Sequence, residues 1–402
     1  MGLDQIAISS RTDVLDLSND RDLRAQMARR LPDWMQPFLT WLTAKPAPDE
    51  RAAPKTPTAY IVEAVLLVLC GCLLSCLAMK LGGLLNPFTW LALALGLTTT
   101  TSGLGIFQVV IFHHCSHGTV FRTRRHNRLM GRAISAVLLF KHFDHYQAEH
   151  MIHHNSNKLF TDDDEFTDFV VGLCDLAPSL DRHALWRRLT INLASPLFHG
   201  RFLIKRFLGS LFSHDRNHNL LGISIWATLL IGATVTHMLG LLLVSWIIPV
   251  TVLLQIATVF RILCEHRFPS PDVIRRRGKT MVCLATAGVF PGSPPPSEGP
   301  FSLHGLSAWT VWWADMLIVQ LFVRVFVLVG DAPCHDFHHR RPANKSWTDY
   351  VHARQFDVDR GCPGFPMNYI ETWGLFRAID QNFAAMARIP ADFLAEATVE
   401  RP

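Results

Sequence analysis

The chain holds nine cysteines in 402 residues yet no C-x-x-C pair, which removes zinc ribbons, thioredoxin-type motifs and iron–sulfur binding. Cys70, Cys72 and Cys76 sit inside an apolar run and the others are scattered, so unpaired thiols in a reducing compartment are expected. Charge is scarce, at 18% of residues against 49% apolar. No basic helix is interleaved with aromatics, so nucleic acid is not an expected partner. The N-terminus lacks a charged-then-apolar leader, and no cleaved signal peptide is expected. Haem-attachment C-x-x-C-H and flavin-type G-x-G-x-x-G patterns are missing as well.

What the chain does have is long uncharged runs. Residues 60–81 and 88–112 form one apolar hairpin around Gly82–Pro87, and 220–239 and 241–263 form a second around Met238–Gly240. Each leg reaches the ~20 residues that cross a bilayer's hydrocarbon. Trp309–Val329 is also apolar but contains Asp315 and Arg324. A single crossing there would carry the chain's last histidines to the wrong face, so it reads as an interfacial or re-entrant helix. The segment 118–218 is rich in arginine, which places it, and both termini, on the cytoplasmic side. In the polar residues 1–59, Asn19 or Asp20 could cap a helix over Arg21–Leu31, with a second over Trp34–Leu42. This amphipathic pair would lie on a membrane surface or form a solvated cap. The expected fold is an all-α integral membrane protein. Four transmembrane helices form two hairpins in a membrane domain (60–345), flanked by the N-terminal segment and a C-terminal cap (346–402), the cytoplasmic helical cap holding a metal site.

The histidines supply that site. His150, His153 and His154 form a His-x-x-His-His cluster, and His335, His338 and His339 form another. On a helix, positions i, i+3 and i+4 share a face, so each cluster aims three imidazoles at one point. With 20 histidines in 402 residues, one such run is expected by chance in roughly 5% of chains and two in roughly 0.1%, so a shared role is the better explanation. His113 and His117 stand at i, i+4 where the first hairpin returns, and His266 follows the second. These nine nitrogens exceed one zinc site and suit two metals of higher coordination, with two irons the best fit. His114 is an ambiguous neighbour, His142 and His145 could stand behind the ligands, and His126, His183 and His237 read as surface residues. Asp144, Glu149, Glu265, Asp331 and Asp336 are placed to accept free imidazole N–H groups. The run Asp162–Glu165 reads more readily as a solvated acidic loop, with a role in the site as the alternative.

His113–Phe121 resembles the first histidine box of membrane fatty acid desaturases, with His114 where those have Asp. His150–His154, followed by Asn155, Ser156, Asn157 and an acidic stretch, is similar to their second box, and His335–His339 to their third. Cys264–Phe268 resembles the extra Glu-His motif of the related membrane alkane hydroxylases. The resemblance spans roughly 60–342. It implies a membrane di-iron enzyme in which two iron ions and O2 attack an unactivated C–H bond of a fatty acyl chain, with the nine histidines as ligands. Desaturation is the first expectation. Hydroxylation of an alkyl chain and decarboxylation of a fatty acid to a terminal alkene are the alternatives. An apolar tunnel would hold the acyl chain, membrane lipid would surround the spans, and a separate ferredoxin or cytochrome with its reductase would supply electrons. Arg340 and Arg341 continue the third box where many desaturases have apolar residues. They would hold an acidic head group or anchor to anionic lipid. A bis-His haem cytochrome is the competing class, but its ligands would sit singly within the hydrocarbon. A metal transporter would need ionisable residues along its spans.

Overall fold

The computed structural model describes residues 22–391 apart from Leu84, Asp162 and Pro300. It is predominantly helical. The first helix, α1 (Leu23–Arg30), is capped by Asp22, whose carboxylate accepts from the Arg24 and Ala25 amides. Asn19 and Asp20 lie outside the described residues. A turn leads to α2 (Gln36–Thr43). The fully buried Arg24 binds the Lys45 carbonyl, Gln36 and Thr40, so α1 and α2 form one packed unit.

The first hairpin is α3 (Pro57–Leu81) and α4 (Pro87–Ser116). Pro at the first helical position and a side-chain cap, Thr56 for α3 and Asn86 for α4, start each one. Small residues let the two backbones touch. A Cβ on Gly71 would overlap the Thr100 main chain, and one on Gly96 would overlap Ser75. The opposite face of α3 exposes Val62, Leu66, Leu69, Leu73 and Leu77, as a lipid-facing surface requires.

Next come α5 (Arg124–Leu138), α6 (Phe143–His153), α7 (Arg182–Ala194) and α8 (Pro196–Leu211). The second hairpin is α9 (Arg216–Val235) and α10 (Leu239–Glu265). Its first leg begins four residues earlier than the apolar run, because Asp215 caps it by accepting from Asn217 and His218. The turn accordingly falls at Thr236–Met238 rather than Met238–Gly240. After it, α11 (Leu303–Phe326) is a fifth helix long and apolar enough to cross a membrane. Its polar groups are held by the cap. Asp315 accepts from the Ser293 hydroxyl at 2.6 Å, Gln320 accepts from the Gly292 amide at 3.0 Å, and Arg324 donates to the Trp41 carbonyl at 2.7 Å.

The cap is completed by α12 (His335–Arg340), α13 (Tyr350–Asp359) and α14 (Leu375–Met386). It contains a feature the all-helical expectation omits. Strands β1 (Gly288–Phe290) and β2 (Glu371–Trp373) pair in parallel, Val289 opposite Thr372. Three-residue strands separated by some eighty residues leave no alternation long enough to read in the sequence. On α14, Asn382 donates to the Leu263 carbonyl and accepts from the Phe268 amide, which fixes the chain on both sides of His266.

Candidate metal centre

Four separate elements bring histidine to one place. A π-helical stretch over Ile106–Phe112 re-aims the last turn of α4, which delivers His113 and, at its cap, His117. The end of α6 carries His150, His153 and His154. His266 ends α10. Gly330, at φ 57°, turns the chain into α12 with Val110 packed where a Cβ would stand. That helix carries His335, His338 and His339.

The nine imidazoles sort into two groups. His113, His117, His150, His154 and His338 converge in one, and His153, His266, His335 and His339 in the other, the nitrogens of each lying within 4.8 Å of one another. Nε2 faces Nε2 throughout. His113–His338 is 2.7 Å, His117–His150 3.0 Å, and His150–His154 3.1 Å. In the second group His153–His266, His266–His335 and His335–His339 are each 3.1 Å. Metal–imidazole bonds of about 2.1 Å put neighbouring nitrogens about 3.0 Å apart at right angles and about 3.4 Å apart at a tetrahedral angle. The closest edges, 2.7 to 3.1 Å, are short enough for the nitrogens of each group to share one ion.

Burial and then the neighbouring imidazoles push His150, His154, His338 and His339 well below the ordinary imidazole value, and His117 to about 2. Neutral rings with lone pairs turned inward are what a cation site needs. His153 differs. Burial alone would lower it, but the Asp164 carboxylate outweighs burial and raises it.

The groups behind the rings are mostly not the ones expected. Asp144 pairs with Arg128 and Arg132, on the outer side of α6. Glu149 pairs with Lys141 and His145. Asp336 is fully buried and grips Arg354, tying α12 to α13. Asp331 accepts from His114 at 2.7 Å, and Glu265 from Arg261 at 2.6 Å. None of these five bonds one of the nine rings among the described contacts. Glu149, Glu265 and Asp336 each stand one residue from one of the nine histidines, and i+1 and i−1 neighbours do not face the same way along a helix. The group that does the work is Asp164, which meets His153 Nδ1 at 2.8 Å and also caps the Phe160 and Phe166 amides. So two members of the acidic run reach the site, Asp164 at His153 and Glu165 at 3.8 Å from His150 Nδ1, while Asp162 lies outside the described residues. Two tyrosines were missed. Tyr146 Oη stands 3.4 Å from His113 Nδ1, and Tyr350 Oη 3.4 Å from His338 Nδ1. No local motif marks a lone tyrosine for such a role. His142 stacks edge-on against His218, and His145 is exposed.

Arg340 and Arg341 also need correcting. Arg340 is buried and donates to the Met367 and Asn368 carbonyls beneath Tyr369. Arg341 pairs with Asp357. Both guanidinium groups brace the cap, and neither lines the cavity at the histidines. That cavity, about 220 Å³, is walled by Phe112, Phe140, Phe166, Phe169, Phe202 and Ile262 and reaches His113, His150, His153, His266 and His335.

The family model for fatty acid desaturase matches residues 88–373. No curated protein sequence matches the chain. The matched region holds all nine histidines and every wall residue of the cavity named above.

Proposed function

The chain belongs to the fatty acid desaturase family, and from that premise we propose that it is a membrane di-iron oxidoreductase. It uses O2 to desaturate a fatty acyl chain. The observation that carries this reading is the union of two imidazole groups with one cavity that reaches both, walled by phenylalanine and Ile262 and carrying charged side chains, among them Lys141, Lys205, Arg206 and Arg261, on the rest of its lining. The five- and four-nitrogen groups would hold the two ions, with His113, His117, His150, His154 and His338 on one and His153, His266, His335 and His339 on the other. When bound, the ions supply the reduction of O2 and the oxidising power for C–H removal.

The chain's own residues do the rest. Asp164 fixes the His153 tautomer, so that Nε2 faces inward. Tyr146 and Tyr350 are placed to do the same, over longer contacts, for His113 and His338. The phenylalanine walls exclude water and hold the acyl chain extended, so that one pair of carbons faces the ions. A ferredoxin or cytochrome with its reductase supplies electrons. In the membrane we read α3, α4, α9 and α10 as the spans, with the histidines and termini on the cytoplasmic side. The bonds from α11 to Gly292, Ser293 and Trp41 support an interfacial position for that helix.

Metal analysis with product identification tests the proposal. Two irons per chain are expected, with a product lighter than the fatty acyl substrate by two hydrogens. An added oxygen would assign hydroxylation, and a terminal alkene with loss of the carboxyl would assign decarboxylation. A haem absorption band would replace the reading altogether.

A further inference from the structure

Outside the five-histidine group the aromatic rings continue towards the surface. His114 is fully buried, and its Nε2 turns to Asp331 rather than into the group. Its ring centroid lies 5.6 Å from His338 on one side. On the other it stacks on Trp347 at 4.9 Å and 21°. Tyr60 follows, 5.4 Å from Trp347. Tyr60 is half-buried beneath the exposed Lys55, whose ammonium is 5.1 Å from the ring. The path is fixed by hydrogen bonds at each step. The Trp347 indole donates to the Thr119 carbonyl at 3.2 Å, and the Tyr60 hydroxyl to the Thr348 carbonyl at 3.5 Å. Burying a histidine–carboxylate pair is costly, and this one lies beside the metal groups without joining them. What it does is hold an imidazole flat against an indole.

The surface above this path is divided by charge. Thr119 opens a loop pinned by Asn127, which accepts from the Val120 and Phe121 amides. Arg122, Arg124 and Arg125 follow directly and are exposed, as is Lys345, two residues before Trp347. Beyond Ser346 the balance of charge turns acidic, in a groove lined by Asp49, Glu50, Asp349, Asp357 and Asp359 beside Arg341 and His352, which pair with Asp357 and Asp349.

We propose that the arginine side of this boundary is the docking face of an acidic one-electron carrier protein, and that Tyr60, Trp347 and His114 form the path by which its electron reaches the five-histidine group. The inference rests on the proposed redox-active ions. In each transfer the carrier is oxidised by one electron and an ion is reduced by one, with no bond broken and no proton moved. The basic residues steer the carrier in, while the acidic groove repels it and sets which side of Ser346 it occupies.

The test is stopped-flow reduction of the ferric holoprotein in neutral-lipid nanodiscs, with either a reduced acidic [2Fe–2S] ferredoxin or dithionite. Trp347→Leu is expected to slow the ferredoxin-driven phase severalfold while leaving iron content and the dithionite-driven phase unchanged. Arg122→Glu with Arg125→Glu, at exposed positions, should slow the ferredoxin-driven phase about tenfold at low salt and flatten its salt dependence. If Trp347→Leu fails to retain iron, the charge reversals and Trp347→Phe, which keeps a ring and the wild-type rate, decide the matter. Unchanged ferredoxin-driven rates in the charge-reversed protein would assign the arginines to lipid head groups and overturn the docking face. Equal slowing with both reductants in Trp347→Leu would overturn the path. A protein that binds no iron, or whose iron dithionite cannot reduce, would instead overturn the proposed function.

Discussion

The two imidazole groups are built from the same residue type at the same spacing, yet they are backed differently. In the four-histidine group, all rings are buried and His153 leans on the fully buried carboxylate of Asp164 at 2.8 Å. In the five-histidine group, His117 and His154 are only half-buried. The groups behind it are two phenols at 3.4 Å and Glu165, 3.8 Å from His150. A buried carboxylate compensates a cation's charge and strengthens the imidazole it holds; a phenol at a long contact does little of either. The lesson is that ligand number and ligand support are traded. The group with fewer nitrogens has the stronger backing, so the two ions would differ in affinity and accessibility although both see only histidine.

The largest effect that could break this comparison comes from the ligands themselves. His339→Ala leaves the four-histidine group with three nitrogens, and His117→Ala leaves the five-histidine group with four. Both should abolish turnover, but His339→Ala should lose one iron entirely and His117→Ala only part of one, by metal analysis of the purified proteins. Equal losses would mean that the fifth nitrogen adds nothing. Next in size is Asp164→Asn. It keeps an oxygen for the Phe160 and Phe166 amides but removes the charge behind His153, so iron affinity of the four-histidine group should fall ~10–100-fold. An iron titration showing the same fall in both groups would indicate general loosening rather than loss of one support.

Much of this was legible in the sequence, and the boundary of what was legible is physical. Periodic or uninterrupted patterns could be read. Both hairpins follow from apolar runs, and the gathering of the histidines follows from their positions at span ends. The i, i+3, i+4 spacing does not aim each cluster at one point: His153 parts from His150 and His154, and His338 from His335 and His339, so each cluster serves both groups. Contacts between distant segments could not be read. Asp164 reaches His153 across a loop, and its neighbours Asp163 and Glu165 carry the same charge without the same burial. Asp336 sits between His335 and His338 in sequence but faces Arg354 on another helix. Arg340 follows His339 directly and is turned away into the 362–369 loop. In each case sequence adjacency suggested a role that side-chain direction then assigned elsewhere.

The smallest expected effect sharpens the comparison most, because it isolates the weaker support. Tyr146 does two things in the five-histidine group. Its hydroxyl stands 3.4 Å from His113 Nδ1, and its ring lies nearly parallel to His150, 5.2 Å between centroids at 9°. Tyr146→Phe removes the first and keeps the second. A hydrogen bond at that length is near the limit of what contributes, so iron affinity of the five-histidine group should fall less than the ~10-fold that opens the usual range for such partners. Tyr146→Ala removes the ring as well and opens the cavity wall beside His150, so it should cost more than Tyr146→Phe in both iron retention and substrate KM. The measurement is iron titration of the two variants beside Asp164→Asn. If Tyr146→Phe weakened its group as much as Asp164→Asn weakens the other, a neutral phenol would be supporting its ligand as strongly as a buried carboxylate. The difference between the two groups would then lie in nitrogen number alone.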